Sequence, residues 1–386
     1  MLDGLRVVEI SSFVAAPTAG LTLAQLGAEV IRVDPVGGAP DIGRWPVTDS
    51  GRSIYWAGLN RGKASVVADL RSAPGQRAVY RLLRAQDREG GILITNQGGK
   101  AWLSDEVLRA ERPDLIHVRV LGRRDGGTGV DYTVNAASGL ACATGTDPAI
   151  PTNNALPAWD LLCGMYAAVA VLAAVNRRRL TGAGSYATVA LDDVAASVLT
   201  TLGFLPEAQI TNRSRPPLGN SIYGSFGAEM ALADGSLLMV VALTSRQWAD
   251  LVTVTGTRRL VEAVQAELGV DFADDGTRFA HRDLLAALLR PWFASRSVAE
   301  AGAALGATSV LFAPFRTLAE HARDLVAGAA EPVVCVRSDE GLPDMLATAG
   351  PIRRPREADA VPGSAPVLGQ HSGAWVAAEE RDDLAG

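Results

Sequence analysis

The 386-residue sequence is nearly devoid of lysine: only Lys63 and Lys100 occur, and arginine carries the rest of its positive charge. The formal net charge is −6, so the basic balance of a general nucleic-acid binder is missing. That excludes a protein built to cover phosphate backbones, while leaving room for local basic pockets. Cysteine is scarce too: Cys142, Cys163 and Cys335 show no metal-ligand spacing and point to a reducing, cytoplasmic compartment. His117, His281, His321 and His371 form no metal or catalytic pattern. The chain opens directly into a strand, so no secretory leader is expected. The longest apolar run, Met165 to Val175, is too short to cross a bilayer, so no membrane partner is expected. Glycine is absent from the turn Ser11-Ser12-Phe13-Val14-Ala15-Ala16-Pro17. The pattern that closes a backbone onto a dinucleotide pyrophosphate is therefore lacking.

What is present reads as a folded α/β chain. Hydrophobic residues make up 48% and charged residues 20%, and the length predicts two domains. Leu5 to Ile10 is a strand, Pro17 to Leu26 a helix and Val30 to Val33 a second strand. Such a βαβ opening implies a parallel sheet with a right-handed crossover. Strands over 64–68, 91–95, 115–120 and 186–191 alternate with helices over 74–85, 104–110 and 192–205. A polar stretch at 211–217 then changes the character of the chain. A hairpin follows around Asp234-Gly235, with helices over 245–255, 258–268, 278–294 and 297–305, which predicts a smaller α+β domain. From about Arg316 the chain is rich in Pro and Gly, with short strands and little helix before Ser372.

Three places draw chemical interest. Asp160 follows Pro157-Ala158-Trp159 and opens an Ala-rich helix that ends in Arg177-Arg178-Arg179 and Gly182. A carboxylate there meets the positive end of the helix dipole. Asp in that place is most often an N-cap; a nucleophilic carboxylate is the other reading. Asn96-Gln97-Gly98-Gly99-Lys100 leaves a strand end, where open α/β sheets place ligands, although an ordinary Gly turn reads as well. The long connection from Val36 to Gly62 carries Arg44, Trp45, Tyr55 and Trp56, and is either functional or packing.

Several stretches occur in order along nearly the whole chain: Leu2 to Glu9, Leu26 to Ile31, Asn60 with Lys63 and Ser65, Ile94 to Asn96, Arg112 to Ile116, Arg179 to Gly184 and Pro366 to His371. Together they resemble the family III CoA-transferases. Phe13 to Pro17, Arg44 to Thr48, Trp56 to Asn60, Gly122 to Gly127, Val130 to Asn135 and Leu156 to Asp160 are similar to one branch of it. That branch shifts CoA between the C1 and C4 carboxyls of mesaconyl-CoA.

The resemblance implies a Rossmann-like large domain (1–205), a small α+β domain (206–317) and a C-terminal segment returning to the large domain (318–386), in an interlocked homodimer. It makes Asp160 the nucleophile, passing through a mixed anhydride and an aspartyl-CoA thioester. Backbone N–H groups at the start of its helix would stabilise the oxyanions. Lys63 and Asn96 are the implied CoA contacts, with Gln97 and Lys100 as further candidates from the loop after Asn96, although Lys100 is out of register with the family's basic residue; Phe13, Val14 and Ala15 flank the thioester. Arg44 is the candidate grip on a free carboxylate, which arginine binds bidentately; a structural salt bridge is an equal reading. Asn220 and Tyr223 are substrate candidates in the loop Leu218 to Gly224. Val130 stands where the racemase branch has a histidine, and Pro35 where a relative has an adenine-stacking arginine. The expected partners are an acyl-CoA thioester and a carboxylic acid, with CoA entering as substrate and no resident cofactor or metal. An intermolecular CoA-transferase, a racemase and a non-catalytic acyl-CoA binder are the alternatives.

Overall fold

In the computed structural model, which describes residues 1–85, 89–328, 334–353 and 361–376, the chain opens with β1 (Arg6–Ile10), α1 (Ala15–Gln25) and β2 (Glu29–Asp34). The alternation continues through α2 (Ile54–Asn60), β3 (Ala64–Val67), α3 (Ala73–Arg84), β4 (Ile92–Thr95), α4 (Asp105–Glu111) and β5 (Ile116–Leu121). Then come α5 (Asp131–Ala137), α6 (Leu140–Ala143), α7 (Ala158–Thr181), β6 (Ser185–Ala190), α8 (Leu191–Thr201) and α9 (Phe204–Thr211). The strands form one sheet in the order β3-β2-β1-β4-β5-β6, with every pairing parallel. Val7, Val8, Val30, Ile31, Ile92 and Leu93 are fully buried, because helices cover both faces of a parallel sheet. The strand order reverses between β1 and β4. Folds of this kind open a crevice beyond the carboxyl ends of the strands at that point.

One face of the sheet packs against α1 and α7, with Leu23, Trp159, Cys163, Val171 and Val175 in a common core. The other carries Val79, Leu82, Leu83 and Leu108 of α3 and α4. α1 and α7 lie very close. A Cβ built on Gly164 would meet Ala15 O at 2.5 Å and Thr18 Cβ at 2.7 Å, so only glycine fits that crossing. α7 runs for 24 residues and stops at Gly182, whose φ of 72° is left-handed. By length and composition it is apolar enough to cross a membrane, which the shorter run Met165 to Val175 does not suggest. Its side bearing Cys163, Ala167, Val171 and Val175 is core, while Leu162, Met165, Tyr166 and Val169 are exposed.

The chain divides into two units, the first comprising 1–140, 153–212 and 322–386 and the second 141–152 with 213–321. The segment 141–152 therefore groups with the second unit, through Leu218 N–H to Ala143 O (3.1 Å) and Gly219 N–H to Gly145 O (2.6 Å). That grouping was not expected from the sequence. The second unit is an antiparallel sheet of β7 (Phe226–Ala231), β8 (Leu237–Ala242) and β9 (Leu311–Pro314). It is packed by α10 (Ser245–Val254), α11 (Arg258–Leu268), α12 (Asp275–Ala280), α13 (Arg282–Ala294) and α14 (Val298–Gly306) around Phe226, Trp248, Phe272, Leu285 and Phe293. The helix expected over 278–294 is two helices meeting at His281, and the one over 192–205 breaks at Gly203 (φ 79°). A helix at Leu318–Val326 (α15) lies where little helix was expected. Near the C-terminus, the His371 ring accepts from Ser65 N–H (3.0 Å) and Ser372 Oγ from Val67 N–H (3.0 Å), tying that segment to β3. Parts of the expected C-terminal segment, 329–333, 354–360 and 377–386, lie outside the described residues.

Candidate active site

The first turn of α7 has four N–H groups, and all are in use. Ala158 donates to Leu156 O (2.8 Å) and Leu161 to Pro157 O (3.1 Å). Trp159 and Asp160 donate to Oδ2 of Asp131, at 2.7 and 3.1 Å. The cap of this helix is thus a side chain from α5, and Asp160 stands third in the helix. Two expectations are corrected. Asp160 is not an N-cap, and the N–H groups of its own helix are not free to stabilise an oxyanion beside it.

The Asp160 carboxylate is part-buried and accepts no hydrogen bond among the described residues. Removal from water, then the charge of Asp131, push its pKa up to about 7, with Arg44 pulling the other way. It faces a cavity of about 410 Å³ whose walls include Phe13, Val14, Ala15, Arg44 and Asn96. The cavity lies where β1 and β4 end, at the reversal of strand order, and so where this fold places ligands.

Phe13 holds a left-handed φ of 63°, a conformation that costs a non-glycine residue on the order of 1 kcal/mol or more. Asn96 secures the turn by accepting from Ser12 N–H (3.1 Å) and donating to Ser12 O (2.8 Å). The Arg44 guanidinium lies 5.7 Å from the Phe13 ring centre and 5.1 Å from that of Tyr55. Arg44 forms no ion pair among the described residues, so the salt-bridge reading is not what the structure shows. A nucleophile-type carboxylate and an unpaired arginine therefore share one cavity. The sequence matches CoA-transferase family III over residues 2–372.

The chain belongs to CoA-transferase family III.

Among its curated relatives is the 2-methylfumaryl-CoA isomerase of Chloroflexus aurantiacus, 43% identical over 96% of this chain and 92% of the relative. The succinyl-CoA–D-citramalate CoA-transferase of the same organism is 30% identical over 75% of this chain and 72% of its own length. A CaiB/BaiF family protein from Brucella suis has the same fold, with a TM-score of 0.78 and 27% identity over 98% of both chains.

Other family positions fall elsewhere in the structure. The ammonium of Lys63, a candidate CoA contact, is buried and bonded to Glu9 (2.8 Å), Pro17 O (2.9 Å) and Asn60 Oδ1 (2.9 Å), and Lys63 does not line the cavity. Burial pulls its pKa down to about 8 against the pull of Glu9. Gln97 and Lys100 bond to each other at 3.0 Å and do not line the cavity. Asn220 and Tyr223 belong to the second unit, where Tyr223 packs edge-on against Phe279 with ring centres 4.9 Å apart. Asp131 and Tyr132 are not singled out by the sequence as site residues, yet both line the cavity, as does Tyr55 of the long connection. Asp131 stood within the stretch Val130 to Asn135, but nothing local marks it as the cap of a helix 28 residues away. Among the described residues, no cluster of His, Cys, Asp and Glu is suited to a metal ion.

Proposed function

We propose that this family III enzyme moves CoA between the C1 and C4 carboxylates of one mesaconyl unit, with Asp160 as the shuttle. The observation that carries this is the pairing of Asp160 with the uncommitted Arg44 in one cavity. The nucleophile needs a carboxylate free of hydrogen bonds, and the second carboxyl group of the substrate needs a cation. The likeness to 2-methylfumaryl-CoA isomerase supports this substrate.

The Asp160 carboxylate attacks the C1 thioester carbonyl and expels CoA thiolate, leaving a mixed anhydride. Thiolate attacks the aspartyl carbonyl, which gives an aspartyl-CoA thioester and free mesaconate. Mesaconate then presents its C4 carboxylate to the aspartyl carbonyl, expelling thiolate once more. Thiolate attacks the C4 carbonyl, releasing the C4 thioester and Asp160. No net proton or electron is consumed. Each tetrahedral step needs donors for its oxyanion, and α7 has none to spare. α1 starts in the same cavity at Val14 and Ala15 without a side-chain cap, which supports its first N–H groups as those donors.

Asn96 acts here by fixing the turn that carries Phe13. Three unpaired cysteines fit a reducing, cytoplasmic setting. The working assembly is a homodimer of interlocked chains. A second reading, transfer between separate acids, is supported by the likeness to a succinyl-CoA-dependent transferase.

Incubating the enzyme with mesaconyl-C1-CoA and isotope-labelled free mesaconate separates the two. Mass spectrometry after chromatographic resolution of the C1 and C4 thioesters is expected to find unlabelled C4 thioester, and none with Asp160→Ala. Labelled product would establish intermolecular transfer, and no conversion would exclude this substrate.

A further inference from the structure

We propose that Asp131 is a positioning residue for Asp160: it occupies the N–H groups of the first turn of α7 and so keeps that helix's donors off the Asp160 carboxylate. This rests on Asp160 being the nucleophile. An acid third in a helix ordinarily folds back to bond the N–H of the cap residue and is stabilised as the anion by the helix dipole. Here that return is blocked. The cap position is Pro157, which has no N–H, and the N–H groups of Trp159 and Asp160 bond to Asp131. Leu161 N–H, the fourth of the set with Ala158 N–H, is turned to backbone carbonyls. A carboxylate placed at a helix start, where it would normally be made less basic, is left bare.

Asp131 is itself held firmly. It is 2% exposed and opens α5. One turn on, Asn135 accepts from the Trp159 indole N–H at 3.0 Å and donates to Asn153 Oδ1 at 2.7 Å. α5 thus grips the start of α7 at three hydrogen bonds and holds the Asp131 carboxyl beside Asp160; burial raises its pKa above the usual carboxylate range, with the N–H groups of Asp160 and Trp159 pulling the other way. The other groups facing Asp160 are Arg44, Tyr55 of α2, Tyr132 of α5 and Cys163 one turn along α7. Burial pushes Tyr55 and Cys163 up to about 12, so both stay neutral while Asp160 titrates. Arg44 is the opposing charge.

The chemical consequence lies in the mixed anhydride. In the first mixed anhydride an aspartate more basic than the acyl carboxylate is the better nucleophile and the poorer leaving group; in the closing step, where Asp160 itself leaves, the same basicity works against departure. When thiolate adds to the aspartyl carbonyl, the bond to the substrate carboxylate breaks, and the shuttle moves forward to aspartyl-CoA.

The test compares wild type, Asp131→Asn, Asp131→Ala and Asp160→Ala with mesaconyl-C1-CoA from pH 5 to 9, with Tm measured alongside. Asp131→Asn keeps an oxygen for the two N–H groups and removes the charge. Its Tm is expected to stay within about 3 °C of wild type, and its kcat at neutral pH to fall about tenfold or more with KM within about threefold. The acid limb of its profile should move to lower pH. Asp131→Ala loses the cap as well and should fall about a hundredfold. If the amide variant does not fold, Asp131→Ser, a shorter neutral acceptor, serves for the same limb. An unmoved acid limb, with Asp160→Ala inactive, overturns the role of Asp131 alone. Full activity in Asp160→Ala overturns both the nucleophile and this inference.

Discussion

Arg44 lies beside the Phe13 and Tyr55 rings, and among the described residues its guanidinium has no ion-pair partner. Charge-assisted pairs of this kind contribute about 1.5–3 kcal/mol, so Arg44→Ala is expected to raise KM for a dicarboxylyl-CoA roughly tenfold or more. Arg44 also lowers the pKa of Asp160, so its removal should move the acid limb upward. That is opposite in sign to the shift expected for Asp131→Asn. Arg44→Lys keeps the charge and should restore the limb, with only part of the affinity, because an ammonium lacks the planar fork. An unchanged KM and limb in Arg44→Ala would remove Arg44 from the site. Lys63 teaches the converse. One of only two lysines in an arginine-rich chain invites a ligand role, yet its three protons go to Glu9, Pro17 O and Asn60 beneath the β1–α1 turn. Burial and partners decide that, and neither is visible in a one-dimensional pattern.

At the scale of elements, the crossing of α1 and α7 sets the distance between the Val14–Ala15 turn and Asp160. Alanine is the better helix former by about 1 kcal/mol. At Gly164, however, its methyl would lie 2.5 Å from Ala15 O, and overpacking costs about 1–3 kcal/mol. Gly164→Ala is therefore expected to lower Tm by a few degrees and to lower kcat. A Tm and kcat equal to wild type would show that the two helices can part without consequence. The strands of the first unit were legible because burial on both faces leaves unbroken runs such as Ile92-Leu93-Ile94. The start of α7 was not, since its cap is Asp131, distant in sequence. α15 had a readable local signal that the Pro- and Gly-rich setting hid. Thr317 caps it and Glu320 returns to Thr317 N–H at 2.8 Å, a capping box.

For the whole molecule, the proposed interlocked dimer has a consequence that a side-by-side dimer does not share. On α7, Leu162, Met165, Tyr166 and Val169 are exposed at one-turn spacing, 36% to 60% accessible in the single chain. Such a stripe is a surface that a second copy would cover, and contiguous exposed apolar residues commonly mark interfaces. Two chains that merely abut separate by dissociation, so differently tagged dimers exchange subunits as fast as the interface opens. Two chains each threaded through the other separate only when one of them unfolds, so exchange is limited by the unfolding rate. Mixing tagged and untagged enzyme under native conditions is expected to give no hybrid dimer over about a day, a span set by typical slow unfolding. Unfolding the mixture together and refolding it should give hybrids near the statistical proportion. Hybrids appearing within minutes under native conditions would rule out threading, and a monomer by light scattering would rule out the dimer itself.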